Sequence, residues 1–306
     1  GTITKLEKKE EKESPQLLYD LTSLRRHANT LFGFSARRTL AAAQKLYEEH
    51  KAITYPRTNS RFLTSDMIGE IKPTAAHVGR NERYAKGAAF VTRMEKLPLG
   101  RVVNDKRVED HHAIIPTRSE HNLSKMGPDE SRIYDLVAKR FLAIFHPDAV
   151  FERTRIETTV AEHIFRTSGR ILIEAGWKAV YGEESQADKG EDDSGGDQLL
   201  PKLEQGEEVA TRSVDSLRKE TQPPRRFTEA SLLGAMETAG KDIQDADLRE
   251  AMKDSGIGTP ATRASIIERL LQVGYIEREG RALIATEKGV QVISLLGEHP
   301  LTSAEL

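Results

Sequence analysis

The stretch Ala52-Ile53-Thr54-Tyr55-Pro56-Arg57-Thr58-Asn59-Ser60-Arg61-Phe62-Leu63 is the part of the chain from which the rest is read. A β-branched, apolar run delivers a tyrosine, and a proline and an arginine follow at once. Proline fixes its own φ and biases the residue before it toward extended geometry. In an extended segment residues i and i+2 point to the same side, so the spacing predicts Tyr55 and Arg57 on one face. That pairing suits attack on a phosphodiester. A tyrosine with an ordinary pKa near about 10 needs help to become a nucleophile. An arginine stabilises both a phenolate and the charge of the transition state. The alternative at this point is a packed tyrosine with no chemistry.

Two further clusters lie downstream. Glu109-Asp110-His111-His112-Ala113-Ile114-Ile115-Pro116-Thr117 sets two histidines beside two acids. A metal site there lacks a third ligand at useful spacing, and neighbouring side chains diverge on a strand. A histidine that contacts a phosphate or holds a proton, or one that is simply structural, fits better. Asp254-Ser255-Gly256-Ile257-Gly258-Thr259-Pro260-Ala261-Thr262-Arg263-Ala264-Ser265 reads as a glycine-rich cap before a helix. Free amides, small hydroxyls and an arginine make a phosphate cradle. It is not a Walker loop, because the lysine is missing. The acids of Asp245-Ala-Asp247-Leu-Arg-Glu250 follow a polar segment and read as a solvated helix rather than a metal site.

Around these clusters the chain divides by periodicity. Residues 16–32 and 36–50 read as helices, with Gly33 and Ser35 as break and recap. Residues 65–78 read as helical but interrupted by Pro73. Residues 129–145 place Ile133, Leu136, Val137, Phe141, Leu142 and Phe145 on one stripe. The period then changes to alternation over 150–181, which reads as antiparallel strands, with a further strand over 209–217. Pro223-Pro224 opens a last unit. There Thr228 caps a helix through Gly240, Thr259-Pro260 caps a helix over 261–273, residues 275–285 form a hairpin, and Thr286 caps a final helix. A helix followed by a two-stranded wing has winged-helix character, often a nucleic-acid platform.

Composition bounds the class. The 306 residues suffice for two or three domains. There is no cysteine, so disulfides and zinc-thiolate sites are excluded. No apolar run approaches the about 20 residues of a membrane helix. The net charge of -2 hides a split. Residues 183–208 carry ten acids against two bases, while 15–150 carry 22 Lys and Arg against 15 Asp and Glu. Overall neutrality therefore leaves room for a basic nucleic-acid surface. The opening Gly1-Thr-Ile-Thr has no apolar core of a signal peptide, and a start without methionine reads as a piece of a longer chain.

Taken together, Tyr-Pro-Arg-Thr-Asn-Ser-Arg-Phe-Leu (55–63), His-His-Ala-Ile-Ile-Pro-Thr (111–117), Pro-Arg-Arg-Phe-Thr-Glu-Ala-Ser-Leu (224–232) and Gly-Ile-Gly-Thr-Pro-Ala-Thr-Arg-Ala-Ser-Ile-Ile (256–267) resemble a type IA DNA topoisomerase of the bacterial topoisomerase III branch. The resemblance implies an α+β multidomain fold. Its parts would be a mainly helical, tyrosine-bearing gate domain over 15–150, an antiparallel β arch domain over 1–14 and 151–222, and a winged-helix-like DNA-binding domain over 223–306. It implies that Tyr55 forms a 5′-phosphotyrosine link to single-stranded DNA and reseals it without ATP. Arg57 would hold the scissile phosphate and His111 would contact DNA near the cut. Thr58, Arg61, Thr259, Thr262, Arg263 and Ser265 match DNA-contacting positions; His112 falls at a variable one.

The family's Toprim domain, with its glutamate, its Asp-x-Asp magnesium site and its lysine, has no match here. The resemblance therefore places Mg2+ in the full-length enzyme, leaves no metal ligand in this chain and makes the chain alone inactive. It further implies a monomeric enzyme of the bacterial cytoplasm, associated with the nucleoid. Two rivals remain. A winged-helix binding module explains 223–306 but not Tyr-Pro-Arg. A tyrosine recombinase carries its tyrosine late, whereas here it comes early.

Overall fold

The computed structural model describes residues 1–182, 200–239, 256–297 and 299. They form two compact units, and the chain passes between them more than once. One comprises Gly1–Gln16, Gly79–Leu97 and Leu142–Gln222; the other comprises Leu17–Val78, Pro98–Phe141 and Pro223–Leu306. The division differs from the expected one. Residues 79–97 and 142–150 group with the strands, and 223–306 group with the helices around Tyr55.

The first unit is built on three antiparallel strands in sequence order: β1 (Thr2–Glu13), β2 (Ala149–Val160) and β3 (His163–Glu174). Lys8 lies opposite Thr154, and Thr154 lies opposite Gly169. Most side chains on these strands are polar and half-buried or exposed, so the ladder and its cross-strand ion pairs carry the sheet. Arg153 meets Glu11 at 3.3 Å, and Lys8 meets Glu152 at 3.4 Å. Only one end is apolar: Ala143, Ala149, Phe151 and Trp177 form a small core. The Trp177 indole donates to the Glu13 carbonyl at 2.8 Å. Gly176 (φ +50) makes this docking possible, because a Cβ there would lie 2.3 Å from the Asp148 carbonyl oxygen.

The strand expected over 209–217 is absent. A single bridge joins Thr2 to Glu208, and the chain beyond it pairs no further as a strand. Val214 and Leu217 are exposed, so the segment has no apolar face to bury. A helix the sequence reading did not anticipate, α4 (Glu82–Arg93), buries Tyr84, Ala88 and Val91 at i, i+4 and i+7. Three apolar anchors around Gly87 are too sparse a stripe to stand out.

The second unit carries the Tyr55 segment. α1 (Leu21–Phe32) starts at Asp20, whose carboxylate accepts from the Ser23 amide while the Ser23 hydroxyl accepts from the Asp20 amide, and stops at Gly33 (φ +67). Residues 16–20, expected helical, run extended instead, because Tyr19 bridges to Ile114. α2 (Ala36–Glu48) is capped by Ser35. α3 (Ile68–Val78) runs through Pro73 without a break. Pro73 and Gly69, whose carbonyl loses its helical donor, are both exposed, so water serves that carbonyl. α5 (Pro128–Ala143) takes proline at its first position.

The C-terminal segment adds α6 (Glu229–Glu237), α7 (Arg263–Val273), the hairpin β4 (Ile276–Glu279) and β5 (Ala282–Ala285), and α8 (Glu287–Leu296). The hairpin and the capping roles of Thr228 and Thr286 are as read from the sequence. Gly240 and the acids Asp245, Asp247 and Glu250 lie outside the described residues. Ala36, Leu233, Met236, Ala264, Ile267 and Leu283 share one core. Two exchanged hydrogen bonds stitch it. The buried Glu229 carboxylate accepts from the Ala36 amide at 2.8 Å, and the Asn29 side chain accepts from the Ala230 amide at 3.1 Å.

Glu130, on the first turn of α5, fixes the end of α2. Its carboxylate accepts from the Gly127 amide at 2.6 Å and meets Lys45 and His50 at 3.3 Å each. The Gly127 amide, with help from Lys45 and His50, holds this carboxyl below its ordinary 4.5. A carboxyl with a depressed folded pKa stabilises the fold above its unfolded value and loses that contribution as pH falls through the folded value. Glu130→Gln is therefore expected to lower stability at neutral pH and to flatten its decline below about pH 4.5. Urea denaturation from pH 3 to pH 7 checks this; parallel stability curves for the two proteins would refute it.

Candidate active site

The backbone around Tyr55 is tied down on both sides. α2 ends at Glu48, and the chain turns at Lys51 (φ +53), whose carbonyl accepts the Thr117 hydroxyl. Ile53 then bridges Pro116 in antiparallel fashion. The Thr54 amide donates to the Ile115 carbonyl at 2.9 Å, and the Thr117 amide donates to the Ala52 carbonyl at 3.0 Å. The Ile115 amide donates to the Thr54 hydroxyl at 3.0 Å. Past the tyrosine, the buried Thr58 donates its hydroxyl to the His111 carbonyl at 2.7 Å and accepts from the Ser60 amide at 3.0 Å. The Ala113 amide closes the loop on the Phe62 carbonyl at 2.9 Å. Ala52, Ile53, Pro56, Ala113, Ile114 and Ile115 are buried, so these bonds lie in apolar surroundings.

The two motifs read separately in the sequence are thus one structure. The Tyr55 ring lies 4.4 Å from the His111 imidazole, centroid to centroid, at 47°. Tyr47, from the last turn of α2, presents its edge to Tyr55 at 5.5 Å and 76°. Tyr55 is half-buried, and among the described residues its hydroxyl has no hydrogen-bond partner. The ring is positioned by its neighbours and the oxygen is left unengaged. His112 instead turns inward, with Nδ1 2.8 Å from the Ala113 carbonyl.

Arg57 is exposed and forms no ion pair among the described residues. The expected strand face shared by Tyr55 and Arg57 is not formed, because the chain bends at Thr54 and Pro56. What the fold delivers to Tyr55 is His111; what it delivers to Arg57 is Arg25 of α1. Arg25 is buried, and burial together with repulsion from Arg57 brings its guanidinium down to about 10.

The expected DNA-contacting residues separate into two groups. Thr259, Thr262 and Ser265 are exposed at the start of α7. Thr58, Arg61 and Arg263 are engaged within the unit. Arg61 binds Asp20 at 2.8 Å and Glu237 at 3.3 Å. Arg263 is buried and donates to the Ile257 carbonyl at 3.2 Å and the Thr22 hydroxyl at 3.3 Å. The helix also begins later than read. The Thr259 carbonyl accepts from both the Thr262 and Arg263 amides at 3.0 Å, so Thr259 and Pro260 form a turn before the regular helix at Arg263. The sequence reading passed over Tyr47 and Arg25. An aromatic eight residues before Tyr55, at the end of a strong helix, is the signal for the first; nothing local marks the second.

Among the described residues, no group of three or more His, Asp or Glu is placed to hold a metal ion. No helix among them is long and apolar enough to cross a membrane.

The Tyr55–His111 pair thus lies on a unit that also carries the C-terminal helices and hairpin. The chain belongs to the DNA topoisomerase family, whose model matches residues 1–306. It is 41% identical over 302 residues to DNA topoisomerase 3 of Bacillus cereus, covering 98% of this chain and 41% of the relative. It is 40% identical over 314 residues to DNA topoisomerase 3 of Bacillus subtilis, covering 100% of this chain and 42% of the relative. Full-length topoisomerase I from Thermotoga maritima shares the fold with a TM-score of 0.68 at 25% identity, over 99% of this chain and 46% of that one. The chain thus spans about two fifths of the length of the curated relatives it matches.

Thr58 is the pin between the two motifs. Thr58→Val keeps the shape but leaves the His111 carbonyl and the Ser60 amide without that partner. A loss of about 1–3 kcal/mol is expected in urea denaturation, with faster exchange of the Ser60 and Ala113 amides. Unchanged stability and exchange would show that Thr58 pins nothing.

Proposed function

We propose that this chain supplies the tyrosine half of a DNA strand-passage site. In this reading the Tyr55 oxygen attacks a backbone phosphorus of single-stranded DNA. The phenolic O–P bond forms, the P–O3′ bond breaks, the phenolic proton departs, and the leaving 3′ oxygen takes up a proton. The phosphate stays esterified to Tyr55 at the 5′ end. Because the ester conserves the bond energy, the reverse attack by the 3′ hydroxyl reseals the strand without ATP. Arg57 offsets charge on the phosphate, and His111 contacts DNA beside the cut. Thr259, Thr262 and Ser265 present hydroxyls to a neighbouring stretch of the strand.

The observation that carries this reading is the Tyr55 ring, 4.4 Å from His111, with a hydroxyl that nothing described engages. That oxygen is not enclosed, so an incoming strand can reach it. The helical unit would act as the gate and the three-stranded unit as part of the arch. The Toprim domain of the full-length enzyme, a monomer of the bacterial cytoplasm, would bring magnesium and the rest of the cleavage site. The chain alone is then inactive in relaxation.

In the full-length enzyme, Tyr55→Phe is expected to abolish the covalent adduct with labelled single-stranded DNA while leaving equilibrium DNA binding largely intact. Denaturing electrophoresis after incubation with the oligonucleotide reads the adduct. An adduct retained by the variant removes Tyr55 from its role, and one attached through a 3′ phosphate supports a recombinase instead.

A further inference from the structure

Arg25 is a buried cation that forms no ion pair among the described residues. It is 1% exposed. Its Nη1 donates to the Pro260 carbonyl at 2.7 Å, while Nε and Nη2 are enclosed with no partner among the described residues. Of the described carboxylates Glu229 attracts it, and Glu229 already accepts from the Ala36 amide and from Arg278. Arg57 repels Arg25, and Arg263, one turn past Pro260, pairs with no carboxylate among the described residues. A buried guanidinium normally has its donors filled, because an unpaired buried charge is costly. Here enclosed donors without a described acceptor lie beside further arginines, and the described carboxylate that attracts this charge, Glu229, is already committed to the Ala36 amide and Arg278.

We propose that Arg25 is an anion-binding residue that takes a backbone phosphate of single-stranded nucleic acid, adjacent to the phosphate held by Arg57. The proposal deepens the functional reading above and rests on it. The turn at 259–260 meets Arg25 through one neutral acceptor, the Pro260 carbonyl. A phosphate oxygen is the stronger acceptor for a guanidinium and accepts two of its donors side by side. When a strand arrives at Arg57, its neighbouring phosphate displaces the Pro260 carbonyl. The 256–262 segment then shifts together with the hydroxyls of Thr259 and Thr262. Arg25 thereby links occupation of the tyrosine site to the start of α7.

The test is equilibrium binding of a fluorescent oligothymidylate to the full-length enzyme over a range of salt, for wild type, Arg25→Gln and Arg25→Lys. A lost phosphate contact on a single strand lowers the magnitude of the salt slope by about 0.7. Arg25→Gln is expected to show that change, with affinity down about tenfold at low salt. Arg25→Lys keeps the slope. Without DNA, Arg25→Gln is expected to melt higher than wild type, because an uncompensated buried charge has been removed.

An unchanged slope in Arg25→Gln, with or without a lower melting temperature, makes Arg25 a structural residue and overturns the proposal. A melting shift produced by millimolar inorganic phosphate in wild type but by no oligonucleotide overturns the phosphodiester assignment. If Arg25→Gln fails to fold, wild type read with oligonucleotides carrying one neutral methylphosphonate at successive positions decides. Two adjacent sensitive positions support the pair of arginines, and a single one overturns it. Absence of any oligonucleotide binding by wild type would bring down the functional reading itself, whereas a slope unchanged by Arg25→Gln in a binding-competent enzyme removes Arg25 alone.

Discussion

The antiparallel contact between residues 52–54 and 115–117 is the constraint on which the site depends. Main-chain bonds from Thr54 to Ile115 and from Thr117 to Ala52, in buried apolar surroundings, join segments about sixty residues apart. Neither segment is a regular strand, so neither gains from a neighbouring ladder. Each needs the other to satisfy its backbone polar groups. His111 follows from this contact. Thr58 holds the His111 carbonyl, and the imidazole falls beside the tyrosine ring. Removing the pairing would free both side chains at once, so the position of each motif depends on the other.

The same economy explains why the tyrosine is held by its ring. A hydroxyl tied by a hydrogen bond would have a defined position but a competing partner. Two aromatic neighbours at 4.4 and 5.5 Å fix the ring plane through weak, non-acidic contacts and leave the oxygen unclaimed. Arg57 is kept loose on the surface for a related reason. A paired carboxylate would neutralise it, and among the described residues it forms no ion pair, while it repels Arg25. Positive charge without an internal answer is costly to the folded chain and useful to a polyanion.

How much of this was legible in the sequence depends on the range of the forces involved. Capped helices and the C-terminal hairpin are set by neighbours within four or five residues. Asp20 with Ser23, Thr228 with Ser231, and Gly33 and Gly274 as stops all act locally. The motif at 55–61 and the histidines at 111–112 stood out by composition. Their contact did not, because nothing in either segment encodes the partner's register. Arg61, Thr58 and Arg263 look like surface contacts in a linear motif, yet Asp20, the His111 carbonyl and Thr22 claim them from far along the chain. The helix through Pro73 and the missing strand at 209–217 were misread for opposite reasons. Solvent exposure made a bad helix residue harmless, and the lack of an apolar face made good strand residues idle.

The net charge of -2 is consistent with this division of labour. The three-stranded sheet pairs its lysines and arginines with glutamates across the ladder. In the helical unit Asp20, Glu130, Glu229 and Glu237 are committed to caps and internal bridges, while Arg57 stays exposed without an ion pair among the described residues. A chain can therefore be neutral in sum and still offer a polyanion one strongly favourable place, because a buried or paired acid no longer opposes the field that an unpaired arginine projects into solvent. The arginines without carboxylates, rather than the overall charge, mark where the strand is expected to lie.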